Sequence, residues 1–324
     1  MTKYILRRLL QSIPLLFLIS VVVFALLQST PGGPLARFEN NPTITEADLQ
    51  TMRERMGLND PLHIRYIRWL WNTLHADFGE SYITHQPVAE MIAERLPNTF
   101  RLMLPAFILT LLMAAPIGII SAIKQYSFFD HLVTTFTFAG QSIPIFWFGL
   151  LLIIFFYGKA TNPWTGEHLF PPGGIYSLDK PGDFWDGLWH MVLPVSMLSL
   201  AWVSWYTRFL RTSMLDTIRQ DYIRTARAKG LTKLKVYLKH ALPNAIMPMI
   251  TLVTLDLASL FAGAVYTETI FSWPGMGRLF YQSALRRDYP VLMAVVMITA
   301  VLIVFSNLLA DILYAYADPR IRYD

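Results

Sequence analysis

The sequence has 324 residues, 54% of them hydrophobic and only 15% charged, a balance that excludes an ordinary soluble protein of this length. A net charge of +5 would suit a nucleic-acid binder, but the basic residues flank long apolar stretches, so the charge reads as membrane topology and no nucleic-acid partner is expected. The absence of cysteine excludes disulfides, thiolate metal ligands and a thiol nucleophile.

A bilayer core takes about 20 apolar residues per helix, and six stretches qualify, near 9–28, 98–123, 132–157, 188–207, 243–266 and 290–316. The expected fold is an all-α integral membrane protein with six transmembrane helices, forming a single membrane domain over 1–324. Lys3, Arg7 and Arg8 precede the first span, Lys124 follows the second, and Arg208, Arg211, Arg219, Arg224, Arg227, Lys229, Lys233, Lys235 and Lys239 follow the fourth. The positive-inside rule places all of these, and with them both termini, in the cytoplasm. The first span is too long for a signal-peptide core and reads as a retained anchor.

An exported insertion, about 29–97, follows the first span and opens with the turn former Thr30-Pro-Gly-Gly-Pro34. Thr45-Glu-Ala-Asp48 predicts a capping box ahead of a helix carrying Leu49, Met52 and Met56 and ending at Gly57. A second helix is predicted with Asp60 as N-cap and Pro61 at its first position, carrying Tyr66, Trp69, Leu70 and Leu74. A short helix from about Pro87 to Leu96 then leads into the second span. The insertion suits either a lid over a pore or a connector resting on lipid headgroups.

Pro105, Pro116, Pro144, Pro194 and Pro248 fall in or near the later spans, where a bundle tolerates them if the freed carbonyls find partners. The other exported segments are about 158–187 and 267–289, and Pro163, Pro171-Pro-Gly-Gly174 and Pro181-Gly182 mark the first as loop.

Between the fourth and fifth spans, 208–242 forms a basic loop containing Asp221-Tyr-Ile-Arg-Thr-Ala-Arg-Ala-Lys-Gly230, followed by Leu242-Pro243. Ala226 and Gly230, four apart, share a helix face of little bulk that admits another backbone closely. Gly230 suits a left-handed cap, and Pro243 a first helical turn. A short cytoplasmic helix that meets another protein is expected here, a solvated positive loop being the plainer reading.

Asp256 lies near the middle of the fifth span, where an ionised carboxylate facing lipid would cost about 3 kcal/mol or more. It either bonds a neighbouring helix or lines a solute path. Asp311 sits toward the cytoplasmic end of the sixth span, and Glu268 follows the fifth on the exported side. No His-Glu-x-x-His pair, Gly-x-Ser-x-Gly elbow or Gly-x-x-x-x-Gly-Lys-[Ser/Thr] loop occurs, so no metal site, hydrolase or ATP site is expected in this chain.

The segment after Asp221 resembles the cytoplasmic loop of ABC importer permeases, whose pattern runs Glu-Ala-Ala, three residues, Gly, nine residues, Ile, one residue, Leu-Pro. Ala226, Gly230, Leu242 and Pro243 match it, while Arg224, Thr225 and His240 replace Glu, the first Ala and Ile. The chain is most similar to the dipeptide and oligopeptide branch. The likeness extends through Tyr4-Ile-Leu-Arg-Arg8, Pro31-Gly-Gly-Pro34, Gly57-Leu-Asn-Asp-Pro61, Asp77-Phe-Gly-Glu-Ser81 and Ser142-Ile-Pro-Ile-Phe-Trp147. It continues in Thr267-Glu-Thr-Ile-Phe-Ser-Trp-Pro-Gly-Met-Gly277, Arg287-Asp-Tyr-Pro290 and Asp318-Pro-Arg-Ile-Arg322. Gly33 stands where that branch often has aspartate.

The resemblance implies a type I importer fold in a bacterial or archaeal cell membrane. It implies a second homologous permease, two ATP-binding subunits and an extracytoplasmic solute-binding protein as partners. ATP and magnesium would be used by the ATP-binding subunits, with no catalysis in this chain. The implied coupling residues are Asp221, Arg224, Thr225, Ala226, Arg227, Ala228, Lys229, Gly230, Leu242 and Pro243. Asp256 is a candidate for the solute path by its depth alone, and the resemblance implies a position near an outer gate for Glu268, the second candidate. Dipeptides or oligopeptides are the expected solutes, with nickel or an oligosaccharide as the alternative and an ion-coupled transporter as a more distant one.

Overall fold

A computed structural model describes residues 2–30, 33–35, 44–55, 57–164, 166–257, 260 and 264–317. Pro31, Gly32, Met56 and the motif Asp318-Pro-Arg-Ile-Arg322 lie outside the described residues. The chain order of helices is α1 Thr2–Gln28, α2 Glu46–Arg55, α3 Leu62–Leu74, α4 Val88–Ile123, α5 Phe128–Ser142, α6 Ile145–Ile153, α7 Phe184–Ile218, α8 Asp221–Ala228, α9 Lys233–Val236, α10 Leu242–Ala245, α11 Met247–Asp256, α12 Val265–Ile270, α13 Met276–Arg286 and α14 Tyr289–Ala317.

Four of these, α1, α4, α7 and α14, are long and apolar enough to cross a bilayer. The third expected span is instead a bent pair: α5 and α6 meet at 100°. Pro144 supplies no N–H, and Ile143 before it is extended (φ −83°, ψ 124°), so the helix cannot run through. Counting the pair as one gives five spans among the described residues. At the fifth expected position the described helices are α10, the ten-residue α11 and the start of α12, with 258–259 and 261–263 outside the described residues.

The long helices pack as the bilayer demands, with small residues at the contacts and hydroxyls bonded between helices. Helices α4 and α7 run against each other for much of their length. A Cβ at Gly118 of α4 would lie 2.8 Å from the Thr207 carbonyl oxygen of α7, so only glycine permits this approach. Nearby, Ser199 donates to the Ala106 carbonyl across the same contact at 3.1 Å. Leu102, Met103, Phe107, Tyr206, Leu210 and Met214 fill the core between the two helices. Helix α5 joins α7 on another side, and α1 packs on α14.

The insertion departs from expectation in two places. Asp60 does not cap α3; Pro61 precedes the first turn, and the Asp60 carboxylate pairs with Arg68 at 2.8 Å. The short helix expected over 87–96 is the beginning of α4, a single 36-residue helix that carries Pro97, Pro105 and Pro116. The capping box is present: Thr45 N–H donates to Asp48 at 2.9 Å, and Asp48 N–H to Thr45 Oγ1 at 3.3 Å. Helix α3 lies on α1 through a 2.8 Å bond between Tyr66 and Ser20 and through the rings of Phe24 and Trp69. Beyond it, Ser81 Oγ (2.5 Å) and Tyr82 N–H (3.0 Å) donate to the buried Asp288 carboxylate, fastening the insertion to the α13–α14 corner.

One ion pair fixes three helices at the end of the bundle that carries α8. Arg211 of α7 donates twice to the Asp130 carboxylate of α5, at 2.6 and 2.8 Å, and Ser121 of α4 donates to the same group. Asp130 is buried. Removing one partner of such a pair typically costs about 3–5 kcal/mol, whereas replacing both by neutral residues is far milder. Arg211→Met is therefore expected to lower the thermal unfolding midpoint of the purified protein strongly, and Asp130→Asn with Arg211→Met to recover much of it. Equal loss in the single and double variants would count against the pair as the tie.

Candidate functional site

Two constellations stand at opposite ends of α4. At one end lies α8 with the turn after it. Its N-cap position is Gln220, without a side-chain cap, and Asp221 provides an acid in the first turn. Ile223 and Ala226, three apart, are buried and join the same core cluster as Leu210 and Met214. Asp221, Tyr222, Arg224, Thr225, Arg227, Ala228, Lys229 and Gly230 are all exposed.

Ala226 is therefore packed within its own bundle, and the surface left exposed on α8 is the polar face on the other side of the helix. The expectation that Ala226 and Gly230 form one outward face is corrected accordingly. A lone pattern of small residues says that something comes close without saying what.

Gly230 has φ +79°, the left-handed cap expected of it, and its N–H bonds the Arg227 carbonyl at 3.0 Å. A Cβ there would meet open space, so the requirement is conformational and not steric. The Arg227 guanidinium lies 5.8 Å from the Tyr237 ring centre, holding α8 against the chain beyond α9. There the backbone widens into a π-helical turn over Tyr237–Ala241, just before Leu242 and Pro243 open α10. The wider turn accommodates a proline that has no N–H to give. Ser213 Oγ bonds the Ala245 carbonyl at 2.7 Å and so ties the loop's return to α7.

At the far end, α12, α13 and the turn between them close over the start of α4. Glu268 is completely buried, and its carboxylate accepts from Thr99 Oγ1 at 2.9 Å, Arg278 N–H at 2.9 Å and Ala264 N–H at 3.3 Å. Thr99 Oγ1 in turn accepts from Met276 N–H at 2.7 Å. Trp273, also buried, donates its indole N–H to the Asn98 carbonyl at 2.8 Å, and the Asn98 amide donates to the Pro274 carbonyl at 3.1 Å. A Cβ on Gly275 would lie 2.5 Å from each Glu268 carboxylate oxygen. Burial pushes the Glu268 carboxyl above its ordinary value, while these donors pull it back down.

Glu268 is thus the centre of a knot, placed by the structure among backbone donors. Asp256, at the end of α11, accepts a 2.5 Å bond from Tyr206 Oη of α7. A cleft of about 860 Å³ runs between α4, α7 and the loop before α7 and includes Phe100, Arg101, Tyr176, Met191 and Trp273. Neither Asp256 nor Glu268 lines it. Asp311 pairs with Arg8 at 3.3 Å, joining α14 to α1.

Sequence reasoning missed Asn98 and Thr99 as the partners of the 268–276 turn, and the Asp130–Arg211 pair. The only local signal was Ser127-Phe-Phe-Asp130, whose Ser127 caps α5 by accepting from Asp130 N–H.

A family model described as a binding-protein-dependent transport system inner membrane component matches residues 114–323, and one for the N-terminal part of such membrane components matches 1–103. The oligopeptide transport system permease protein AppB of Bacillus subtilis is 45% identical over 324 residues, covering all of both chains. The dipeptide transport system permease protein DppB of Escherichia coli K12 is 36% identical, covering 100% of this chain and 99% of that one. Among solved structures, the MetNI methionine ABC transporter in an inward-facing conformation aligns at 16% identity with a TM-score of 0.53, over 70% of this chain and 96% of the matched chain. That likeness speaks to the fold alone.

The Glu268 knot makes a specific demand. Glu268→Gln turns one acceptor oxygen into an NH₂ group facing N–H donors, and a buried unmet donor costs about 1–3 kcal/mol. Glu268→Gln and Gly275→Ala should each lower the thermal midpoint of the purified protein. Gly166→Ala, with open space at an exposed turn, is the control for a glycine whose only constraint is its positive φ. Unchanged midpoints in the first two would remove the knot as a structural element.

Proposed function

The chain belongs to the family of binding-protein-dependent transport system inner membrane components, and on that premise we propose that α8 is where the ATP-binding subunits push on it. The chain is a membrane permease of the ABC importer type for peptides, with relatives named for oligopeptide and dipeptide transport. In this reading it forms half of a translocation path, with a second homologous permease as the other half. Two ATP-binding subunits, which use the ATP and magnesium, dock on the cytoplasmic side, and an extracytoplasmic binding protein delivers the peptide. The chain itself is non-catalytic, and both termini are cytoplasmic.

The observation that carries the reading is the division of α8 into two faces. Ile223 and Ala226 seat it on the core around Leu210 and Met214, while Tyr222, Arg224, Thr225 and Lys229 face away from the bundle. A helix free on one face and packed on the other can take a push from a partner and hand it to α7. Leu242 and Pro243 begin the return into the membrane and fix where the loop ends. Glu268 serves this scheme by closing the opposite end, and Asp256 by linking α11 to α7.

The importer assembled with its ATP-binding subunits tests the reading. Gly230→Val places a β-branched residue at φ +79°, and Ala226→Trp overfills the buried seat of α8. Both should lose co-purification of the ATP-binding subunits and peptide uptake. Gly230→Asn, which tolerates a left-handed conformation, and the exposed Lys235→Gln should retain both. Wild-type assembly and uptake with both Gly230→Val and Ala226→Trp would refute the docking role.

A further inference from the structure

Two clefts lie one above the other along the wall formed by α1 and α14, with α3 crossing them. The polar one, about 730 Å³, is lined by residues that include Arg65, Arg68, Asp77, Glu80, His85 and Tyr289. The apolar one, about 550 Å³, is lined by residues that include Phe17, Leu70, Leu74, Met297, Val301 and Leu302. Phe78 borders both. On α1 the lining passes from Phe24 to Ser20, and on α14 from Met293 to Met297, one helical turn in each case. The clefts are therefore consecutive, polar at the end of the bundle where α14 begins and apolar deeper in.

Their length matches one leaflet. From Tyr289 to Leu302, α14 rises about 20 Å at about 1.5 Å per residue. Half of a bilayer with its headgroups is also about 20–22 Å. Helix α3 is placed where lipid would be: Ile64, Ile67, Trp71 and Leu74 form an exposed apolar stripe at helical spacing. Its neighbouring face presents Arg65, Arg68 and Asn72 to the polar cleft.

The charges suit a zwitterion. Arg68 is already paired with Asp60, which also acts on Arg65 at longer range, but the Arg65 guanidinium donates at 2.7 Å to the neutral side-chain oxygen of Gln28 and makes no ion pair within 4.0 Å among the described residues. Asp77 and Glu80 add negative charge to the same cleft. Tyr289 lines it as well, and its buried hydroxyl lacks a partner among the described residues.

We propose that the paired clefts hold one glycerophospholipid, one of its acyl chains between α1, α3 and α14 and its phosphate-bearing headgroup at Arg65 and the acids facing it. The lipid is a fixed part of the permease wall. It completes the seat of α3 on α1 and gives the insertion a defined depth in the membrane.

The test is native mass spectrometry of the assembled importer, purified in mild detergent and supplied with phosphatidylethanolamine. Wild type should retain one phosphatidylethanolamine more than Val301→Trp, which fills the apolar cleft from a half-exposed position. Arg65→Gln should weaken retention about tenfold, the worth of one charge-assisted hydrogen bond. Diacylglycerol, with the same chains and no phosphate, should not be held. Equal lipid counts in wild type and both variants would overturn the proposal, as would retention of diacylglycerol as firmly as the phospholipid. It is also overturned if Val301→Trp loses the second permease while the lipid count stays the same, because a partner helix would then be the occupant.

Discussion

The close pairing of α4 with α7 is the constraint on which the rest of the molecule depends. It exists because Gly118 lets the Thr207 carbonyl approach to a distance that any side chain would forbid, and because Leu102, Phe107, Tyr206 and Leu210 fill the space beside that contact. Within lipid no hydrophobic force draws helices together, so packing at small residues and bonds such as Ser199 to Ala106 must supply the association. Each end of the pair is then closed by a buried carboxylate. Glu268 gathers Thr99 and the α12–α13 turn at one end, and Asp130 gathers Ser121 and Arg211 at the other.

Those two carboxylates are separated along α4 by the 22 residues from Thr99 to Ser121, about 33 Å of helix. Helix α8 is seated on the Asp130 end through Ile223 and Ala226. The knot around Glu268 sits at the other end, against the cleft bordered by Trp273. One continuous helix thus joins the end that carries α8 to the end closed by Glu268.

What could be read from the sequence was what neighbouring residues decide. The capping box at Thr45 and Asp48, the left-handed stop at Gly230 and the loop character of the 171–182 prolines and glycines are set within a few positions of the chain. Hydrophobic length located α1, α4, α7 and α14. The third span is continuous in hydropathy but not in backbone, because Pro144, one of the prolines read from the sequence, turns the chain by 100° between α5 and α6. The N-cap assigned to Asp60 failed because Arg68, two turns along, offered its carboxylate a charged partner. Pairs formed by the fold were beyond reach: Tyr206 with Asp256, Arg211 with Asp130 and Thr99 with Glu268 lie 50, 81 and 169 positions apart. Ala226 was read as part of a face for another protein, whereas it is buried in the core of its own bundle.

The central claim is that α8 meets the ATP-binding subunits with its polar face while its Ile223 and Ala226 face rides on the bundle. Because the chain has no cysteine, single cysteines report on it without background. The direct measurement is disulfide or short-linker crosslinking between the ATP-binding subunits and Thr225→Cys or Ile223→Cys in the assembled importer. The account predicts efficient crosslinking from position 225, changing with nucleotide, and none from position 223. Crosslinking from position 223 with none from 225 would contradict it.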